Sequence, residues 1–246
     1  YWIPRDKIVS LQLAIIKHLP ILNHTGDDSA SDDDRDVKKI TSVYFDSPDL
    51  RVYYERLNRL QGARLVRCRW YGSKVFPKRN DNDIVFFERK THHESWSLEN
   101  SVKERFSLPR EQALEFYESA RNDGDLLLPG NDRQNALASE VFENEFKGKS
   151  LSPAIRTSYR RTAFQNTDNN EIRISLDTDL TWSDEISNIE YWIEEDATKN
   201  AQKTNKFPFA VLEVKLQVEE TPEWVENILR EINALSLIHI SEPTRL

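Results

Sequence analysis

The chain has 246 residues, of which 31% are charged, and a formal net charge of −8. That length gives one large domain or two small ones enough chain for a core. The acidic balance argues against wrapping a nucleic acid by bulk charge, while leaving room for a local basic site for an anion. One cysteine, Cys68, excludes an internal disulfide and fits a reducing compartment. No Met is present, so the sequence reads as a piece of something longer. No apolar run is long enough to span a bilayer, and no signal peptide is seen.

The first predicted element is a helix over Asp6–Leu19, where Ile8, Leu11, Ile15 and Leu19 recur at helical spacing and Pro20 ends the run. Asn23–Asp36 is an acidic, Ser-rich surface loop. Lys39–Asp46 alternates as a strand, with Ile40, Ser42 and Tyr44 against Thr41, Val43 and Phe45, and Ser47-Pro48 turns the chain. Leu50–Leu60 reads as a short helix carrying Tyr53, Tyr54 and Arg56. Arg64–Tyr71 is a strand with Val66, Cys68 and Trp70 on one face and Leu65, Arg67, Arg69 and Tyr71 on the other. After a polar hairpin loop over Gly72–Asp83, strand Val85–Thr91 puts Phe86, Glu88 and Lys90 on one face. Val85, Phe87 and Arg89 take its other face. Val102–Leu108 sets Lys103 and Arg105 opposite Val102 and Phe106.

Helices follow over Pro109–Arg121, opened by its proline, and Asp132–Phe146, capped by Asp132 and broken by Gly148. In strand Ile155–Gln165, Tyr159 and Arg161 share a face. In strand Glu171–Thr178, Arg173, Ser175 and Asp177 oppose Ile172, Ile174 and Leu176. Trp182–Lys206 is a long acidic insertion without periodicity. Phe207–Gln217 is the cleanest strand: Phe209, Val211, Glu213, Lys215 and Gln217 against Ala210, Leu212, Val214 and Leu216. Pro222–Ala234 closes as a helix with Trp224, Ile228 and Ile232 on one side. Ser236–Leu246 fits nothing before it and reads like translated sequencing-adaptor sequence. One domain is therefore expected over residues 1–235, with a non-native tail over 236–246.

The polar strand faces collect Arg67, Arg69, Glu88, Lys90, Lys103, Arg105, Tyr159, Arg161, Arg173, Asp177, Glu213 and Lys215. One reading is an antiparallel sheet with a wet face and a core face. Solvated faces usually mix Ser, Thr, Lys and Glu, whereas this one is rich in Arg and net basic within an acidic chain. The sharper reading is an α+β fold: a closed antiparallel β-barrel, charged face inside and helices outside. Cations facing each other across a lumen repel unless a polyanion or metal lies between them. Arg forks match phosphate oxygens, and Glu88, Asp177 and Glu213 are candidates for a hard cation, Mn²⁺ or Mg²⁺. Those parts suit phosphoryl transfer, where positioning and charge stabilisation do most of the catalysis.

The segments Ser42-Val-Tyr-Phe-Asp-Ser, Arg67-Cys-Arg-Trp-Tyr-Gly, Phe87-Glu-Arg-Lys-Thr-His, Ser101-Val-Lys-Glu-Arg-Phe, Tyr159-Arg-Arg-Thr-Ala-Phe-Gln, Arg173-Ile-Ser-Leu-Asp-Thr and Ala210-Val-Leu-Glu-Val-Lys-Leu resemble, in order, the tunnel domain of the vacuolar transporter chaperone (VTC) complex. The resemblance runs from Tyr1 to about Ala234. It implies a triphosphate tunnel metalloenzyme fold, a closed antiparallel barrel of about eight strands, and, in a catalytic subunit, transfer of the ATP γ-phosphate to a growing polyphosphate chain. It places the catalytic positions on Arg67, Arg69, Lys90, Lys103 and Arg161, and substrate contacts on Arg56, Tyr159, Arg173 and Lys215. Glu213 takes the metal position, with Mn²⁺ or Mg²⁺ as cofactor.

The implied partners are ATP, inorganic polyphosphate and other VTC subunits, with no nucleic acid. The implied place is a vacuolar or acidocalcisome membrane complex with this domain facing the cytosol. All the site residue types are intact, which favours a catalytic subunit. The alternatives are an accessory subunit that only binds polyphosphate, and a tunnel triphosphatase. Read singly, Glu213 holds a metal or pairs with Lys215 or Arg161. Asp177 balances Arg173, Glu88 plays a similar balancing part, and Tyr159 packs or bonds a phosphate oxygen. His92 and His93 point apart and do not pair on a metal, and Cys68 lies in the core.

Overall fold

The computed structural model describes residues 1–22, 37–72, 84–94, 101–125, 133–148, 151–186, 192–193 and 204–232. The strands are β1 (Trp2–Ile3), β2 (Lys38–Asp46), β3 (Arg64–Tyr71), β4 (Ile84–Thr91), β5 (Val102–Pro109), β6 (Ser152–Gln165), β7 (Ile172–Asp184), β8 (Asn205–Lys206) and β9 (Ala210–Leu216). The helices are α1 (Ile8–Ile16), α2 (Arg51–Leu57), α3 (Arg110–Arg121), α4 (Arg133–Val141) and α5 (Glu223–Glu231). The chain divides into two compact units. The first comprises Tyr1–Ile40, Ser158–Thr181 and Asn205–Leu246; the second comprises Thr41–Thr157 and Trp182–Thr204.

In the first unit the strand order is β1-β9-β7-β6, with β8 on β7. Registers are Ile3↔Ala210 and, along β7 and β9, Arg173↔Lys215, Ser175↔Glu213 and Asp177↔Val211. The inward residues of these strands, Phe164, Ile174, Leu176, Ala210 and Leu212, bury against Leu11 and Ile15 of α1 and Ile228 of α5. Trp2 lies on Phe207 and Phe209, at centroid distances of 5.5 and 5.9 Å.

In the second unit the order is β2-β3-β4-β5. Alternation sends Val66, Cys68, Trp70, Val85, Phe87 and Phe106 to one face. There they meet Phe116 of α3, Val141 of α4 and the π-turn Phe142–Phe146 that continues α4. Phe87 is fully buried among Phe45, Phe106, Phe116, Phe146 and Trp192. Cys68 is fully buried too, and burial pushes its thiol pKa up, so it is core as expected.

The expected closed barrel is not what forms. β1 and β5 are the two ends of the strand order and do not pair with each other among the described residues. β1 is two residues long, too short an edge for a closing ladder. The fold class is α+β with an open antiparallel sheet. Several boundaries also move. β7 continues through Trp182–Asp184, into the stretch read as insertion, because Ser183 and Glu185 are buried there. Trp192 and Ile193, within that acidic run, are fully buried. β9 starts at Ala210, leaving Phe207 and Phe209 in the aromatic cluster on Trp2. The acidic loop Asn23–Asp36, the Asp132 cap and the tail 236–246 lie outside the described residues, as does the hairpin loop after Gly72.

Candidate functional site

The register of β3, β4 and β5 lays charged residues in cross-strand rows. Arg67, Glu88 and Arg105 form one row, and Leu65, Lys90 and Lys103 the next. Glu88 has no exposed surface. Arg67 donates from Nε to its Oε2 at 2.7 Å and meets the same oxygen through Nη2. Lys103 Nζ lies 2.8 Å from Oε1. Arg69 Nη1 and Arg105 Nε stand 3.7 and 3.8 Å from the carboxylate. The clamp is braced from β2: Arg67 Nη1 donates to Tyr44 Oη at 2.9 Å, and Arg69 Nε to Ser42 Oγ at 3.0 Å. Arg105 lies 3.8 Å over the Phe86 ring and donates to Tyr71 Oη at 2.9 Å.

Burial alone would raise the Glu88 carboxyl pKa. The close ammonium of Lys103 and the charges of Arg67 and Arg69 overcome burial and bring it down to about 2. Burial, then Arg67 and Lys103, hold the Lys90 ammonium pKa below the ordinary lysine value. Lys90 and Lys103 are direct cross-strand partners of like sign, an arrangement that costs stability unless an anion is shared. This face of the second unit therefore sets Glu88 against Arg67, Arg69, Lys90, Lys103 and Arg105. Phosphate oxygens are the ligand such an excess of donors fits.

In the first unit Arg161 grips Asp177 with both ends of one fork edge, Nε to Oδ1 at 2.6 Å and Nη2 to Oδ2 at 2.7 Å, which leaves Nη1 outside that pair. The Arg161 guanidinium lies 5.3 Å from the centroid of the Tyr159 ring, which is buried. Glu213 is exposed, with Lys215 Nζ at 3.3 Å and the Ser175 hydroxyl donating to Oε2 at 3.5 Å. Arg173 is the register partner of Lys215, and its buried Nε has no hydrogen-bond partner among the described residues. Four of the predicted site residues thus gather around Glu88 in the second unit: Arg67, Arg69, Lys90 and Lys103. Tyr159, Arg161, Arg173, Glu213 and Lys215 belong to the first unit. Arg56 is half-buried in the last turn of α2 and joins neither ion-pair cluster among the described residues.

Three expectations need correction. Asp177 balances Arg161, because antiparallel register sets Arg173 beside Lys215 instead. The face opposite the charged one is not wholly apolar. Arg89 is buried there, 2.7 Å from Glu104, 2.8 Å from Glu140 and 3.5 Å from Glu145. Arg156 and Glu185 form a second buried pair at 2.7 Å. Glu88 is not placed to hold a metal, because both of its oxygens face cations. His92 meets Glu94 and His93 meets Gln61, so the two histidines do point to separate partners. Sequence reasoning left Arg105 off its list of site residues and missed the bracing by Tyr44 and Ser42. Alternation puts Ser42 and Tyr44 on one face but names no partner for them.

Among the described residues no three Asp, Glu, His or Cys side chains group to enclose a divalent metal. Glu213 offers an exposed carboxylate beside a hydroxyl. That fits a hard cation that keeps its waters and takes most of its ligands from substrate phosphates.

A family model described as the VTC domain matches residues 1–241. The chain belongs to the VTC domain family. The resemblance read from the motifs holds across the chain. Subunit 4 of the vacuolar transporter chaperone complex of Schizosaccharomyces pombe is 33% identical over 93% of this chain and 34% of its own length. Subunit 4 of Trypanosoma brucei is 34% identical over 93% of this chain and 31% of its own. Subunit 2 of S. pombe is 28% identical over 93% and 34%. This VTC domain thus spans about a third of the length of the curated relatives it matches. Among solved structures, a Hippeastrum protein described as an adenylyl cyclase with a dominant triphosphatase activity aligns over 98% of this chain and 91% of that one. Its identity is 13% and its TM-score 0.45. The PH1819 protein of Pyrococcus horikoshii aligns over 94% and 90%, with identity 11% and TM-score 0.38. No described helix of this VTC domain is long and apolar enough to cross a membrane.

Proposed function

We propose that this VTC domain is the catalytic part of an ATP-dependent polyphosphate polymerase. The observation that carries the reading is the cation-rich face of β3, β4 and β5, built around the buried Glu88 in a chain of net charge −8. Such a face collects a polyanion. Arg67, Arg69, Lys90, Lys103 and Arg105 hold phosphate oxygens of ATP or of the product chain. In the first unit Arg161, held by Asp177 through Nε and Nη2, keeps Nη1 outside that pair for a phosphate oxygen. An oxygen of the terminal phosphate of the polymer attacks Pγ. The bond from Pγ to the bridging oxygen breaks, ADP leaves, and the chain is one phosphate longer. No covalent protein nucleophile is required. Mn²⁺ or Mg²⁺, when bound, would neutralise phosphate charge, and Glu213 is the residue that would hold it.

The relatives named as subunits 4 and 2 of one complex support other VTC subunits as partners. Their names also support a vacuolar complex; in the proposed reading the complex sits at a vacuolar or acidocalcisome membrane with this domain on the cytosolic side, and no nucleic acid takes part. The test is phosphate transfer by the purified chain, given ATP, Mn²⁺ and a short polyphosphate primer and resolved on a gel. A ladder of longer polymers is the expected result. Free phosphate without a ladder would make the domain a triphosphatase. Untouched ATP with tight polyphosphate binding would make it an accessory subunit.

A further inference from the structure

We infer that Glu88 is a positioning residue of the phosphate site: a resident anion that holds Arg67, Arg69, Lys103 and Arg105 in place and sets how tightly they grip phosphate. This deepens the proposed function and rests on its phosphate-binding reading. The geometry is specific. Oε2 takes Arg67 and, at longer range, Arg69; Oε1 takes Lys103 and, at longer range, Arg105. Three strands contribute to the arrangement, and register fixes it, because Arg67, Glu88 and Arg105 are cross-strand neighbours. Without Glu88 the four cations would repel one another, and without the cations a buried carboxyl would take up a proton.

A purely structural ion pair looks different in this same unit. On the opposite face of β4, Arg89 is met by Glu104, Glu140 and Glu145, the last shared with Arg64, so three acids from β5, α4 and the π-turn over-balance two cations. Around Glu88 the imbalance is reversed among the described residues, and the surplus is positive. A metal ion would be repelled there, whereas a phosphate chain would neutralise the surplus. The donors also differ in freedom. The Arg67 and Arg69 side chains are 9% and 8% exposed, while Lys103 and Arg105 are 49% and 38% exposed. Arg67 stays locked to Glu88 and Tyr44, and Lys103 and Arg105 form the open side from which phosphate is met. Arg105, stacked on Phe86, is a further phosphate-contacting residue. An incoming phosphate must compete with Glu88 for these donors. That competition keeps ground-state binding moderate and lets product leave, which favours turnover over affinity.

The test is titration calorimetry with tripolyphosphate on the purified chain, beside polymer-synthesis kinetics, for wild type, Glu88→Gln and Glu88→Asp. Gln keeps the shape and removes the charge. Tripolyphosphate then binds about tenfold tighter, with kcat and KM both lower. A loss of structure would weaken binding instead, so this direction separates the two roles. Asp keeps the charge and withdraws it by one methylene. Affinity stays close to wild type, while kcat falls about tenfold as the clamp loses its geometry. Equal or weaker binding by a Glu88→Gln protein that melts cooperatively overturns the inference, as does wild-type kcat in Glu88→Asp. Failure of the wild type itself to bind tripolyphosphate is a different result: it removes the phosphate-binding reading on which the inference stands.

Discussion

Glu88 makes the stability of the second unit depend on acid. Its carboxyl pKa is lowered from 4.5 to about 2, so in the folded protein it stays ionised well below the pH at which it would protonate in the unfolded chain. Its contribution is fully present above the ordinary glutamate range and is lost as pH falls through that range to about 2. A depression from 4.5 to about 2, at about 1.4 kcal/mol for each pH unit, amounts to roughly 3 to 4 kcal/mol in full, of which about 3 kcal/mol is lost by pH 2. Urea unfolding of wild type and Glu88→Gln, followed from about pH 6 to about pH 2, isolates this share, because the other carboxylates are common to both proteins. Wild type is the more stable protein at the upper pH, and the gap between the two narrows by about 3 kcal/mol at the lower one. A gap that stays constant across the range would refute the reasoning, since Glu88 would then titrate like a solvent-exposed acid.

Other consequences follow from the same geometry. Burial, Arg67 and Lys103 lower the Lys90 ammonium pKa from the ordinary lysine value, so bound phosphate should raise it again. Calorimetry of tripolyphosphate binding at about pH 9, in buffers of differing ionisation heat, should show proton uptake that disappears in Lys90→Met. Phe87 has no exposed surface and touches aromatic rings from several elements. Phe87→Ala should cost about 4 kcal/mol in urea unfolding, and a loss under about 1 kcal/mol would contradict the core described here. Asp177→Asn keeps the shape beside Arg161 but removes the charge that fixes it. kcat for polymer synthesis should fall roughly tenfold with little change in KM, and equal kcat would show that the pair does not orient Arg161.

Much of the sheet was legible because strand alternation is a local property. β3 runs from Arg64 to Tyr71 as its pattern indicates, with Val66, Cys68 and Trp70 inward and Arg67 and Arg69 together on the other face. What alternation cannot supply is register. It put Glu88 and Lys90 on one face, but only the pairing with β3 and β5 shows that Glu88 sits between Arg67 and Arg105 while Lys90 faces Lys103. The same gap gave Asp177 the wrong partner. Arg89 read as a member of an apolar face because its acids come from β5, α4 and the π-turn, distant in sequence. Trp192 and Ile193 were hidden in an acidic stretch with no periodicity, yet both are buried. Closure depends on the edges: two residues in β1 leave the sheet open, and no motif in the strands reveals that.

The most direct test of the central claim follows the γ-phosphate itself. The purified chain is given γ-labelled ATP, Mn²⁺ and a short polyphosphate primer, beside Arg161→Ala. The account predicts that label moves from ATP into polymer of increasing length, and that Arg161→Ala slows the transfer by roughly a thousandfold. Label appearing only in free phosphate, or a variant as fast as wild type, would contradict it.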